Sequence, residues 1–344
     1  MPNRDILTIG TSAGGVEALL FLAGKMPRGL DAAIFITIHL SSQYRSDLDT
    51  ILTRAGPLPV GFATDGEPIE KGRIYLAPPA RHLLIERDRV ALGVGPRENN
   101  SRPSIDPMMR SAAVCCGARA IGVVLTGALG DGAAGLWALK RCGGIAVVQD
   151  PEDAAFAEMP QTALRRSNAD RVVPLAEMPA LFQQLVKHPA APQSLVPEYL
   201  KYEVEIAKSG HSSMNGMDRI AKRSPLTCPD CHGIMWEIDE TDVVRYRCHL
   251  GHAYTEDLMA IALDESLRRS LASGLRAIEE RVALVKGMHA RASSRGLRTL
   301  AQDWARKAAE FEQEAQDVRD TMRRLDVLAQ KVRDKDTQAE TAAE

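Results

Sequence analysis

Three side chains in the first half of the chain are of the types that together perform acyl transfer. Ser12 stands in Ile9-Gly10-Thr11-Ser12-Ala13-Gly14-Gly15, where a short apolar run meets glycines and then a helical pattern. A hydroxyl on such a strand-to-helix turn lies beside the free amides that open a helix. It serves there either as a nucleophile next to an oxyanion site or as a phosphate contact. His39 directly follows the apolar run Ala32–Ile38. Asp131 follows the run Ile121–Leu125 through Thr126-Gly127-Ala128-Leu129-Gly130. A serine nucleophile needs a base, and the base needs an orienting carboxylate. Each residue alone has a plainer reading: a phosphate or cap contact for Ser12, a polar loop residue for His39, an N-cap for Asp131. Their joint placement after three strand-like runs brings the catalytic reading level with the structural one.

The turn departs from the dinucleotide pattern. G-x-G-x-x-G requires glycine at position 12, which is serine, and an acid should end the second strand, where His39 stands instead. The P-loop pattern is absent as well, because no Gly-Lys-Ser/Thr follows the turn.

A second group of reactive residues lies later. Cys228 and Cys231 form C-x2-C; sixteen residues then separate Cys231 from Cys248, which opens C-x3-H ending at His252. Two such knuckles supply four ligands to a tetrahedral Zn²⁺ in zinc ribbons. His252 is favoured over His249 as fourth ligand, because Gly251 before it permits a knuckle turn and His249 adjoins Cys248 too closely. Four ligands close the shell, so the expected metal is structural; reduced cysteines without metal are the plainer reading. Between residues 219 and 257 seven acidic side chains outnumber five basic ones, which suits a spacer or docking module better than a phosphate binder.

The elements that must position these groups follow from periodicity. Short Val- and Ile-rich runs at 6–9, 32–38, 73–76, 121–125 and 145–148 alternate with helical patterns at 16–23, 47–55, 107–116 and 132–141. Leu83–Ile85 and Val90–Leu92 read as a hairpin insert. The alternation predicts an α/β fold with a doubly wound, mostly parallel, Rossmann-like sheet whose site lies beyond the strand carboxyl ends. It is followed by a small zinc ribbon and an antiparallel helical hairpin. The expected divisions are a catalytic domain at 1–188, a linker at 189–224, the ribbon at 225–257, the hairpin at 258–333 and a disordered tail at 334–344. The linker is proline-rich at its start and holds a short amphipathic piece, Leu200–Ala207. The hairpin shows two apolar stripes, Leu267 to Val285 and Leu297 to Val332, broken at Ser293-Ser294-Arg295-Gly296. Its charges balance, so the stripes fit self-packing, a homodimer or a helical partner.

Composition bounds the rest. The chain has 344 residues, 45% hydrophobic and 26% charged, an ordinary globular balance. A net charge of −2 and 4% aromatic residues argue against nucleic acid as a partner. No apolar run has the length of a membrane span and no secretory signal opens the chain, which predicts a cytoplasmic protein without membrane insertion and with reduced cysteines.

Five ordered motifs carry a family resemblance: Ile9–Gly15, Thr37-Ile38-His39, Ile74-Tyr75-Leu76-Ala77-Pro78, Arg102-Pro103-Ser104-Ile105-Asp106 and Leu125–Gly132. Over residues 5–186 the chain resembles the catalytic domain of the chemotaxis receptor methylesterases (CheB type). The resemblance implies a protein-glutamate methylesterase that hydrolyses glutamate methyl esters on receptors, with glutamine deamidation as a second activity. It implies Ser12 as nucleophile, His39 as general base and then acid, and Asp131 as orienting carboxylate, with no cofactor for catalysis. Ala13, Gly14 and Ala128 are the expected oxyanion and substrate contacts. Arg102 either binds substrate carboxylates or forms an ion pair with Asp106 or a neighbour. Three departures stand out: Ala13 replaces a common threonine, Leu40-Ser41-Ser42 follows His39 where Met-Pro-Pro is frequent, and the sequence opens on the catalytic strand with no receiver domain before it. The rival reading is a non-catalytic chemosensory scaffold that docks through its helical arm.

Overall fold

The computed structural model describes residues 3–39, 46–192, 194–239 and 244–341. In chain order come β1 (Ile6–Thr11), α1 (Gly15–Lys25), β2 (Ala33–Ile38), α2 (Leu48–Ala55), β3 (Val60–Phe62) and β4 (Ile74–Leu76). A hairpin of β5 (His82–Ile85) and β6 (Val90–Gly93) precedes α3 (Ile105–Cys116), β7 (Ala120–Val124), α4 (Ala133–Arg141) and β8 (Ile145–Gln149). Then follow α5 (Glu158–Ser167), β9 (Arg171–Val173) and α6 (Met178–Leu185). Seven strands form one sheet in the order β3-β4-β2-β1-β7-β8-β9, parallel throughout.

Strand residues alternate between two cores. Leu7 and Ile9 of β1 and Ile34 and Ile36 of β2 face α1, α2 and α6 through Leu19, Leu22, Leu52 and Phe182. Ala33 and Phe35 face the other way, into the core that α3, α4 and α5 build with Met108, Met109, Leu136 and Met159. Helices therefore cover both faces, which is why the strands read as near-continuous apolar runs. The edge strands β3 and β9 escaped the sequence reading because each has three residues, none of them fully buried.

The first compact unit extends to Met259. It includes α7 (Glu198–Ser209) and α8 (Met214–Ile220), followed by β10 (Lys222–Thr227), β11 (Ile234–Asp239), β12 (Val244–Cys248) and β13 (Ala253–Thr255). These last four strands form one antiparallel sheet in sequence order. The stretch expected as a linker at 189–224 is thus largely helical and packed. Leu200 of α7 is buried in the core with α3, Ala207 against Leu84 and Ala91 of the β5–β6 hairpin, and Ile206 with Met217 of α8 and Trp236 of β11. The amphipathic piece at 200–207 was the visible part of that helix.

The second unit runs from Ala260. Its helices α9 (Glu256–Ser294), which starts within the first unit, and α10 (Arg298–Thr341) form an antiparallel hairpin. Arg319–Glu279 at 2.6 Å and the contact of Arg281 over the Phe311 ring at 3.9 Å set its register. Helix α10 continues through residues 334–341, where a disordered tail was expected. At the end of α3 the adjacent sulfurs of Cys115 and Cys116 lie in contact. Among the described residues no helix is long and apolar enough to cross a membrane.

Candidate active site

Register brings the first two residues together. Thr11 of β1 pairs with Ile38 of β2, so Ser12 and His39, each one residue further, leave adjacent strands side by side. On the other flank β1 pairs with β7, whose following turn carries Asp131 back over the same edge. The three side chains form one chain of contacts. His39 Nδ1 lies 3.1 Å from Ser12 Oγ, and His39 Nε2 lies 2.8 Å from Asp131 Oδ2. With the proton on Nε2 donated to Asp131, Nδ1 presents a lone pair to the serine hydroxyl. Ser12 is half-buried, whereas Asp131 is buried.

Asp131 is held by more than histidine. Its Oδ2 accepts the Ile105 N–H at 2.7 Å. Its Oδ1 accepts the Asn99 amide at 2.8 Å, the Gly132 N–H at 2.9 Å and the Asp106 N–H at 3.2 Å. The Ser104 hydroxyl lies 2.9 Å from both oxygens. Ile105 and Asp106 open α3, so a carboxylate from a distant turn caps that helix while Ser104, at its N-cap position, makes no cap bond of its own. Burial works against the charge on Asp131. The hydrogen bond and charge of His39, then the Ile105 N–H and the Asn99 amide, outweigh it and hold the pKa at about 2. Its neighbour Asp106 behaves in the opposite sense: burial and the charge of Asp131 push it up to about 7. Asp106 meanwhile accepts the N–H groups of Gly132 at 3.0 Å and Gly135 at 2.6 Å.

Two glycines permit this approach. A Cβ on Gly10 would lie 2.3 Å from Ile105 Cγ2, so glycine there lets the start of α3 settle onto β1. A Cβ on Gly127 would lie 2.3 Å from Met159 Sδ and 3.0 Å from Ser12 Cβ. Around the serine, the Ser12 N–H donates to the Thr126 carbonyl at 3.1 Å and the Thr126 hydroxyl donates to the Ala13 carbonyl at 3.0 Å. Gly14, at φ 72, is the N-cap of α1. In the Thr126–Gly130 turn, the Gly127 N–H donates to Phe156 and the Leu129 N–H to Glu158. Among the described residues none accepts from the N–H of Ala13 or Ala128.

Arg102 does not pair with Asp106. Its guanidinium donates to the carbonyls of Gly95 at 2.9 Å and Val94 at 3.4 Å, because the chain before it doubles back past β6. Leu40, Ser41 and Ser42, where a reshaped rim was expected, lie outside the described residues. The sequence reading missed Asn99, and it passed over Ser104 although it sits inside a quoted motif. The one local signal for Asn99 is the pair Asn99-Asn100, both with positive φ (50° and 61°), a conformation asparagine tolerates.

Cys228, Cys231, Cys248 and His252 could hold a metal. Their ligand atoms all lie within 4.8 Å of one another. Cys231 Sγ is 3.6 Å from Cys248 Sγ, and Cys248 Sγ is 3.5 Å from His252 Nδ1. Tetrahedral bonds of ~2.3 Å to sulfur require sulfur separations of about 3.8 Å, close to what is seen. The His249 ring instead lies over Gly233, where an added Cβ would touch it at 2.2 Å.

Comparison with known proteins covers the span that holds the first of these two sites. The family model for CheB methylesterase matches residues 7–182. A Leptospira interrogans relative is 38% identical over 184 residues, 53% of this chain and 95% of the relative. Protein-glutamate methylesterase/protein-glutamine glutaminase 3 of Myxococcus xanthus is 38% identical over 180 residues, 52% of this chain and 50% of that protein, so the chain spans about half of it. The crystal structure of the Thermotoga maritima CheB methylesterase catalytic domain superposes with a TM-score of 0.51 at 29% identity, covering 54% of this chain and 100% of that one. Ser12, His39, Asn99 and Asp131 fall inside the matched span, and the cysteine cluster falls outside it.

Proposed function

Because the chain belongs to the CheB methylesterase family, we propose that it hydrolyses glutamate methyl esters on chemosensory receptors, with glutamine side chains as a second substrate. The observation that carries this reading is the continuous contact Ser12–His39–Asp131 at 3.1 and 2.8 Å. Ser12 Oγ attacks the ester carbonyl as His39 Nδ1 takes its proton. Asp131 holds the imidazole by Nε2 and stabilises the imidazolium that forms. The N–H groups of Ala13 and Ala128 meet the oxyanion, a donor of this kind contributing ~3–4 kcal/mol. His39 returns its proton to the leaving methanol, and water then releases the glutamate by the same steps reversed. With a glutamine the leaving group is ammonia.

The cysteine cluster fits Zn²⁺ as a closed, structural site that ties the two knuckles of the ribbon. No catalytic step passes through it. The charge-balanced α9–α10 hairpin suits a helical partner or a second copy of this chain, and the reading places the protein in the cytoplasm. Methanol release from a methyl-esterified receptor tests the activity. Wild type releases methanol and Ser12→Ala does not; equal release by both, or by neither, refutes the reading.

A further inference from the structure

Asn99 is held from two sides. Its Nδ2 donates to Asp131 Oδ1 and to Asp106 Oδ2, both at 2.8 Å. Its Oδ1 accepts the N–H of Thr255 at 3.2 Å, and its own N–H donates to the Ala253 carbonyl at 2.8 Å. Thr255 and Ala253 belong to β13, the edge strand of the ribbon sheet, and Ala253 directly follows His252. The ribbon therefore reaches the side-chain amide whose other end touches the orienting carboxylate.

The amide is planar, so fixing one end fixes the other. The Thr255 N–H requires an acceptor, which puts Oδ1 toward the ribbon and Nδ2 toward the two carboxylates. The opposite flip would aim an oxygen at Asp131 and Asp106 and a donor at a donor. The residue beside Asn99 locks the same joint with charge. Glu98 is buried and pairs with Arg110 of α3 and, at 3.0 Å, with Arg247 of β12. Arg247 also meets Glu203 of α7 at 2.9 Å, and Arg245 meets the same carboxylate at 2.7 Å. These buried ions link the three parts: Glu203 of α7 has its cationic partners on the ribbon, and Arg247 carries the network on to Glu98 of the α/β body.

We propose that the ribbon is a positioning element of the esterase site: Thr255 orients the Asn99 amide, and Asn99 orients Asp131 for His39. The inference rests on the triad reading above and adds to it a controlling element outside the matched span. It makes reactivity at Ser12 depend on the folded state of the ribbon.

The test uses the full chain in six forms: wild type, Thr255→Pro, Asn99→Gly, Cys231→Ser, and Asn99→Gly combined with each of the other two. Thr255→Pro removes the donating N–H from an edge strand, and glycine accepts the positive φ of position 99. Two quantities are read: the second-order rate of Ser12 labelling by a fluorophosphonate, and hydrogen exchange of the Ile105 amide, which donates to Asp131. Thr255→Pro is expected to slow labelling about tenfold, the scale of one charge-assisted hydrogen bond, and to speed Ile105 exchange. In the Asn99→Gly background Thr255→Pro should change neither quantity further. A merely structural role for the ribbon would make the two losses multiply. Cys231→Ser, which opens the ribbon at its cysteine cluster, must show the same silence in the Asn99→Gly background. Multiplying losses, or labelling and exchange within twofold of wild type in Thr255→Pro, overturn the inference. Wild type that never labels at Ser12 refutes the triad reading instead, and the exchange measurement still decides the ribbon coupling.

Discussion

Replacing Asp131 by asparagine changes one oxygen to an NH2 group in a pocket where every neighbour donates. If the NH2 takes the Oδ1 position, it faces the N–H groups of Asp106 and Gly132 and the Asn99 amide. If it takes the Oδ2 position, it faces the Ile105 N–H and His39 Nε2. Only the second choice leaves a single backbone clash, because the imidazole can change tautomer. The NH2 group therefore settles toward His39, which moves the proton to Nδ1. Nδ1 then donates to Ser12 and no longer accepts from it. Activity should fall by ~10⁴-fold, the scale of such a tautomer change in serine triads. Stability should fall as well, since one buried donor is left unmatched and several bonds lose their charge, together about 2–4 kcal/mol. Fluorophosphonate labelling and urea unfolding at neutral pH read the two effects on the same sample. Asp131→Asn that labels within tenfold of wild type, with an unmoved unfolding midpoint, would show that the cap geometry does not set the tautomer.

Gly127→Ala, which drives a methyl into Met159 and toward Ser12, should cut labelling at least tenfold by displacing the serine; unchanged labelling would mean that the turn gives way freely. Glu203→Gln uncovers the buried charges of Arg245 and Arg247 and should cost about 3 kcal/mol in urea unfolding; a loss under ~1 kcal/mol would contradict a buried ion network. The acid pair predicts opposite pH slopes. Asp131, at about 2 against an ordinary 3.8, adds stability that is complete above 3.8 and lost as pH falls through 2. Asp106, at about 7 against 3.8, adds stability present below 3.8 and lost as pH rises through 7. Asp106→Asn should therefore flatten the decline in stability between pH 4 and 7, and an unaltered slope would place that decline on another group. Zinc removal by a strong chelator should lower the thermal midpoint of wild type and leave Cys228→Ser unmoved; equal responses of the two would speak against the cysteine site.

Much of the α/β body was legible because its signals are local. Buried strands such as 121–125 have no charge to interrupt them, and Gly-rich turns mark where they end. Ser12, His39 and Asp131 could be aligned because each follows such a strand directly or by one short turn. Residues 198–209 were harder: α7 carries Glu203 on its buried face, which breaks the apolar stripe and reads as a solvent position. That glutamate is buried only because two arginines more than forty residues later fold back onto it. Asn99 was illegible for the same reason. Two of its side-chain amide's partners, Asp131 and Thr255, lie 32 and 156 residues away, and no periodicity records a contact of that kind.

The cap of α3 by Asp131 also has a kinetic side. The carboxylate that stills the first amides of α3 lies 26 residues beyond Ile105, and the histidine that it orients lies 92 residues before it. These loops must close before the relay exists, and closing them is slow compared with forming a single helix. On refolding from urea, helical signal should therefore return ahead of Ser12 labelling. Labelling that lags the helical signal would make ester hydrolysis a report on the completion of folding and not on its onset.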